Sequence, residues 1–267
     1  MARPTGTELL DALESGEVRA AEPTADGWVV HAWVKQGILE IFRSSEVVPQ
    51  GVELTGLELD RTAHGRLAYR DKGLLSVRRF TEKQQVRLVP GGSAVRRGAH
   101  LGQGVVCMPP MYVNIGAWVG AGSMIDSHAL VGSCAQVGEG VHLSAAAQIG
   151  GVLEPVGARP VIVEDGVFVG GGCGLYEGVL VGREAVLAPG VVLTAGTRVM
   201  DLVQTRELRG SPDRPLEIPP RAVVVPGARA IRGKFAEDRG LSVSCAVIVK
   251  YRDERTDAAT ALEEALR

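Results

Sequence analysis

The chain has 267 residues, with 29 Lys and Arg against 31 Asp and Glu, so its formal net charge of −2 offers no single-sign field to a nucleic acid. Hydrophobic residues make up 45 % but aromatics only 4 %, so a core must be built from Val, Leu, Ile and Ala, with 35 glycines shaping the backbone. No apolar run approaches the roughly 20 residues of a membrane helix, MARPTGTELLDALESGEV lacks the apolar centre of a secretory signal, and Cys107, Cys134, Cys173 and Cys245 form no CxxC pair; the expectation is a cytoplasmic protein with reduced thiols and no membrane or nucleic-acid partner.

Residues 1–90 mix helical and strand signals and predict a small N-terminal α/β domain. TGTELLDALESGEV opens with Thr5 or Thr7 as a capping residue and carries apolar residues at helical spacing. HAWVKQGILEIFRSS predicts a second helix that buries Trp33, Ile38, Ile41 and Phe42.

From Leu101 the sequence counts in sixes: LGQGVV, CMPPMY, VNIGAW, VGAGSM, IDSHAL, VGSCAQ, VGEGVH, LSAAAQ, IGGVLE. After PVGARPVI the count resumes at Val163 with VEDGVF, VGGGCG, LYEGVL, VGREAV, LAPGVV, LTAGTR and VMDLVQ. Every lead position except Cys107 is aliphatic; glycine follows at Gly102, Gly120, Gly132, Gly138, Gly150, Gly170 and Gly182; the fifth position is mostly small or β-branched. This pattern predicts a mainly β fold, a parallel β-helix over residues 91–204, in which each hexapeptide is a short strand and a turn. The lead and fifth residues point inward, and glycine at the corner permits φ > 0 and close backbone approach. PVGARPVI, residues 155–162, reads as a loop ejected from one coil, and such loops carry function. Asp126 breaks the rule, standing in IDSHAL where a corner glycine is expected.

Residues 205–267 form a C-terminal β/α extension. RELRGSPDRPLEIPP is a charged, proline-rich connection, AVVVPGARAI and LSVSCAVIVKYR read as strands, and TDAATALEEALR as a closing helix capped by Thr256 or Asp257.

The hexapeptide coil resembles that of left-handed β-helix acyltransferases. MYVNIGAWVGAGSMIDSHALVGSCAQVGEGVHLS followed by IGGVLEPVGARPVIVED closely resembles the tetrahydrodipicolinate N-succinyltransferases of bacterial lysine (diaminopimelate) biosynthesis. The likeness extends to LESGEVRAAEPTADGWVVHAWVKQGILEIFR, VRLVPGGSAVRRGAH and RGKFAEDRGLSVSCAVIVKYRDERT, and so covers nearly the whole chain in the same order. It implies a homotrimer with active sites in clefts between neighbouring β-helices, succinyl-CoA as acyl donor, and ring-opened tetrahydrodipicolinate as acceptor. The family's substrate arginine falls on Arg87 and its substrate-contacting aspartate on Asp126; its second carboxylate, a glutamate, falls on Gly174. That departure leaves two alternatives: a related N-acetyltransferase using acetyl-CoA, and a non-catalytic β-helix that binds a ligand.

An amine that attacks a thioester must be neutral, so a fixed carboxylate at Asp126 can orient the substrate ammonium and accept its proton. Arg87 suits a dicarboxylate because guanidinium meets carboxylate bidentately. Glu177 in LYEGVL is the nearest carboxylate to the missing glutamate, and Gly174 itself lies in the glycine run from Gly170, where strained backbone angles are expected to forbid a side chain. Coenzyme A needs cations for its phosphates and an approachable wall for its pantetheine arm; Lys234 and Lys250 are candidates for the first, Ala188 and Gly190 for the second. No metal is expected: the five histidines, His31, His64, His100, His128 and His142, are not spaced as the zinc ligands of the γ-type carbonic anhydrases that share this fold.

Overall fold

The structure, a computed structural model, describes residues 3–53, 66–211 and 214–253. Its centre is a left-handed parallel β-helix with three flat faces of two-residue strands. The first face stacks Arg87–Leu88, Val106–Cys107, Met124–Ile125, His142–Leu143, Phe168–Val169 and Val186–Leu187. The second stacks Ala94–Val95, Tyr112–Val113, Leu130–Val131, Gln148–Ile149, Gly174–Leu175 and Val192–Leu193. The third stacks His100–Leu101, Trp118–Val119, Gln136–Val137, Ile162–Val163, Leu180–Val181 and Glu217–Ile218. Most partners on a face are 18 residues apart, as in Met124↔His142, with 19 at the first coil (Arg87↔Val106), 26 where the ejected loop intervenes, as in Gln136↔Ile162, and 37 at the last coil (Leu180↔Glu217). The coil starts at Arg87, two strands ahead of the sixfold count from Leu101.

The repeat forms this shape because each lead aliphatic points into the prism and sits on its equivalent one coil away. Val119, Ile125, Val131, Val137, Leu143 and Val169 are fully buried, with Ala117, Ala129, Ala135 and Val141 filling the narrow space beside them. Each Val, Leu or Ile so buried contributes roughly 1.5–3 kcal/mol.

Glycine does two jobs, and the structure separates positions that the sequence reading ran together. The glycines after the lead residues have ordinary φ; they are small because the next coil lies against them. A Cβ on Gly132 would stand 2.2 Å from the backbone nitrogen of Gly151. The left-handed turn comes two residues later, as at Gly122 (φ 67), and there His128 (φ 63), Cys134 (φ 64) and Ala146 (φ 59) adopt it without being glycine.

The N-terminal residues pack helix α1 (Gly6–Ser15) against helix α2 (Ala32–Ser44). Leu9, Leu10, Leu13, Val34, Ile38 and Ile41 share one core with Ile115 and Cys134 of the coil, while Trp33 and Phe42, expected in the buried face, lie only partly buried at its edge. Thr5 is the N-cap of α1 but makes no side-chain capping bond. Lys35 takes an interior place instead: it is fully buried, and its Nζ donates to the carbonyl of Ala158 in the ejected loop at 2.6 Å. Arg19 docks this unit on the third face, its guanidinium 3.9 Å from the Trp118 ring and its Nε donating to Gln136 Oε1 at 3.1 Å. Burial lowers the Arg19 pKa to about 10.

The two C-terminal strands form an antiparallel hairpin, Ala222–Ala230 with Ser242–Tyr251, joined to the first face where Val186 pairs with Val223. One helical turn, Lys234–Glu237, lies between them at the tip. Asp201, buried, accepts hydrogen bonds from the Tyr251 hydroxyl (2.8 Å), Arg206 Nε (3.1 Å) and the Gln204 N–H (3.1 Å), which fastens the hairpin to the end of the coil. The closing helix expected after Thr256 lies outside the described residues.

Candidate active site

Asp126 sits on the corner between the first and second faces, just after Met124–Ile125. Its Oδ1 accepts the Ser127 N–H at 2.7 Å, closing the turn, while Oδ2 has no hydrogen-bond partner among the described residues. The next residue but one, His128, is exposed in the left-handed conformation, with its N–H donating to the Pro110 carbonyl at 2.5 Å. Asp126 therefore does what a corner aspartate does and keeps one oxygen for something else.

Arg87 belongs to the same surface. It pairs with Val106, which pairs with Met124, so Arg87 and Met124 share a register on the outside of the first face two strand spacings apart, about 10 Å. The Arg87 side chain is exposed. Ala188 and Gly190 lie on the corner line of Asp126, three coils further along. Between them the corner carries Ser144, Ala145, Ala146, Gly170, Gly171 and Gly172, a wall with almost no side chains. Ala188 is buried, and a Cβ on Gly190 would meet nothing within 4 Å.

Lys250 and Lys234 are not brought together. Lys250 pairs with Val223 beside the coil, whereas Lys234 stands at the hairpin tip beyond Ala230↔Ser242. About 25 Å of hairpin lies between them.

Glu177 lies elsewhere, on the corner between the second and third faces and two coils further along. It lines a cavity of about 1100 Å³ walled by residues of the ejected loop between Gly150 and Arg159, by Arg209, Gly210, Ser211, Arg214 and Pro215, by Trp28 of the N-terminal unit and by Tyr176. Glu177 Oε2 accepts the Ala195 N–H of the next coil at 3.0 Å. Arg159 is fully engaged: it donates to Glu217 Oε1 (2.5 Å) and to the carbonyls of Gly178, Pro215 and Leu216. Arg209, Arg214 and Glu154, all exposed, also line it. One chain thus keeps Asp126 and Glu177 on different corners.

Gly174 has no left-handed φ, so the expectation of a strained backbone there is wrong; the left-handed residue of the run is Gly172 (φ 67). What fills the place is Tyr176. A Cβ on Gly174 would stand 2.6 Å from Tyr176 Cε2 and 2.9 Å from its hydroxyl oxygen. Sequence reasoning missed Tyr176, although its signal was present: an aromatic at a position the repeat gives to small residues. Arg209, Arg214 and Trp28 had none, because they come from segments outside the repeat.

Burial pushes the thiols of Cys107 and Cys134 up to about 12 and that of Cys173 to about 11, so none is a thiolate nucleophile near neutral pH. Among the described residues no three His, Cys, Asp or Glu side chains stand close enough to hold a metal ion, and no helix is long and apolar enough to cross a membrane.

Comparison with known proteins agrees with this architecture. Residues 2–43 match the family model for the N-terminal part of tetrahydrodipicolinate N-succinyltransferase, and residues 160–195 that for the hexapeptide repeat of succinyl-transferase. A 2,3,4,5-tetrahydropyridine-2,6-dicarboxylate N-succinyltransferase from Wolbachia sp. subsp. Brugia malayi is 36 % identical over 97 % of this chain and 87 % of its own length. The enzyme of the same name from Nitrobacter hamburgensis is 41 % identical over the same shares. A solved Campylobacter jejuni structure, described as a 2,3,4,5-tetrahydropyridine-2-carboxylate N-succinyltransferase, covers 98 % of this chain and 63 % of that one at 15 % identity and a TM-score of 0.48, too distant a likeness to add weight. With relatives at this identity along almost its full length, the chain belongs to the tetrahydrodipicolinate N-succinyltransferase family.

Proposed function

We propose that the chain transfers the succinyl group of succinyl-CoA to the amino group of ring-opened tetrahydrodipicolinate, in the cytoplasm, as a homotrimer whose sites lie between copies. The observation that carries this reading is the sustained identity to N-succinyltransferases over 97 % of the chain. The placement of Asp126, with Oδ2 uncommitted above a small-residue wall, supports it.

In this reading the substrate ammonium meets Asp126 Oδ2, and Arg87 on the adjoining face clamps a substrate carboxylate. Asp126, directly or through water, takes the amine proton. The nitrogen lone pair attacks the thioester carbonyl, the C–N bond forms, and charge moves onto the carbonyl oxygen. Asp126 passes that first proton to water and takes the second from the adduct nitrogen; as collapse breaks the C–S bond this second proton goes to the departing thiolate, giving amide, free thiol and one proton released to solvent. The pantetheine arm runs past Ala188 and Gly190 along the corner toward Asp126. Lys250 meets the coenzyme A phosphates beside its own late coils, while Lys234, a hairpin's length away, does so only against a neighbouring copy. Glu177 supplies the second carboxylate from the facing corner of the next subunit. No protein metal enters any of these steps.

The test is mass spectrometry of the acceptor after incubation with either donor. N-Succinylation by succinyl-CoA supports the proposal; acetylation by acetyl-CoA in its place sinks the donor assignment; an unmodified acceptor with both sinks the reaction.

A further inference from the structure

The ring of Tyr176 is seated in a notch cut by two glycines. A Cβ on Gly150 would stand 2.8 Å from its Cδ1, and a Cβ on Gly174 2.6 Å from its Cε2. The backbone of Tyr176 is held by its N–H to the Leu193 carbonyl (2.9 Å) and by the Val179 N–H to its own carbonyl (3.2 Å). The ring thus lies back over the outer surface of the second face, with its hydroxyl in the space a side chain at position 174 would occupy. It lines the cavity and remains about one-third exposed. Its hydroxyl makes no hydrogen bond among the described residues.

Several other donors on this wall are committed. Arg159 is spent on Glu217 and three carbonyls, the Ala195 N–H on Glu177, and the strand N–H groups on the ladders of the coil. Arg209 and Arg214 are exposed. A phenol whose position is fixed by packing and whose hydrogen is unspent is the arrangement that stabilises a developing oxyanion, since it needs no reorganisation during reaction.

We propose that Tyr176 is a further catalytic residue, whose hydroxyl donates a hydrogen bond to the thioester carbonyl oxygen as the amine adds. The phenol keeps its proton throughout; it stabilises charge while the C–N bond forms and the C–S bond breaks. This rests on the acyl-transfer reading and on a cleft closed by a second copy. Gly174 and Gly150 are then positioning residues that leave room for the ring.

Steady-state and binding measurements on Tyr176→Phe, Gly174→Ala and the double variant test this. Tyr176→Phe keeps the ring and its seat, so melting should be unchanged, kcat should fall about 10- to 100-fold, and the Kd for succinyl-CoA should move less than about threefold. Gly174→Ala should lower kcat by dislodging the ring, and should add almost nothing once the hydroxyl is gone. A wild type active with succinyl-CoA but matched within twofold by Tyr176→Phe would overturn the inference alone, as would strictly additive losses in the double variant. A wild type inert toward succinyl-CoA and the acceptor would overturn the acyl-transfer reading and this inference with it.

Discussion

A corner carboxylate in a β-helix can close its own turn or face a ligand, and the two oxygens of Asp126 divide those tasks. Asp126→Asn keeps an acceptor for the Ser127 N–H but removes the charge that pairs with an ammonium. We expect kcat to fall by 10²- to 10⁴-fold, roughly 3 to 5 kcal/mol of barrier, with the melting temperature nearly unchanged. A near-normal kcat in steady-state assays would make Asp126 a turn residue only. Glu177→Gln likewise keeps an acceptor for the Ala195 N–H, and turnover is expected to drop at least tenfold, about 1.4 kcal/mol. Gly174→Glu should bring no gain, because the new side chain meets the Tyr176 ring. At this scale the corner position of Asp126 was legible because the repeat defines a norm to depart from. The sequence was read poorly at Gly174, because no count in sixes reveals that a neighbour's ring lies in the empty place.

Among the elements, the two kinds of coil glycine make a direct comparison. Gly132→Ala drives a Cβ into the backbone of Gly151 and should cost roughly 2–3 kcal/mol of unfolding free energy. Gly122→Ala meets nothing within 4 Å and bears only the left-handed φ, about 1 kcal/mol. Denaturant titrations that rank them the other way would contradict this division. Helix α2 offers a test by pH. Burial lowers the pKa of Lys35 below its usual 10.5, so between the folded and unfolded values the unfolded chain binds more protons. Its contribution to stability therefore rises with pH through that alkaline window, and Lys35→Met should flatten the rise in melting temperature; an unchanged slope would show that Lys35 adds nothing there. Helical spacing placed Ile38 and Ile41 in the core. It could not place Lys35 there, because the Ala158 carbonyl that compensates the buried amine comes from a loop 123 residues away.

For the whole molecule, the separation of Asp126 and Glu177 onto different corners requires a second copy if both serve one site. A stable homotrimer at micromolar concentration is therefore expected in analytical ultracentrifugation, and a monomer there would remove the shared cleft. The coil was legible because its 18-residue period recurs on both sides of the ejected loop, so each aliphatic lead fixes its neighbours. The cavity was not, since its walls come from the N-terminal unit, the ejected loop and the segment after Arg209, and nothing periodic ties those segments together. The measurement that bears most directly on the account is the initial rate of thiol release from succinyl-CoA. Release should saturate with tetrahydrodipicolinate and cease without it. Release independent of the acceptor, or none with both substrates present, would contradict the acyl-transfer reading.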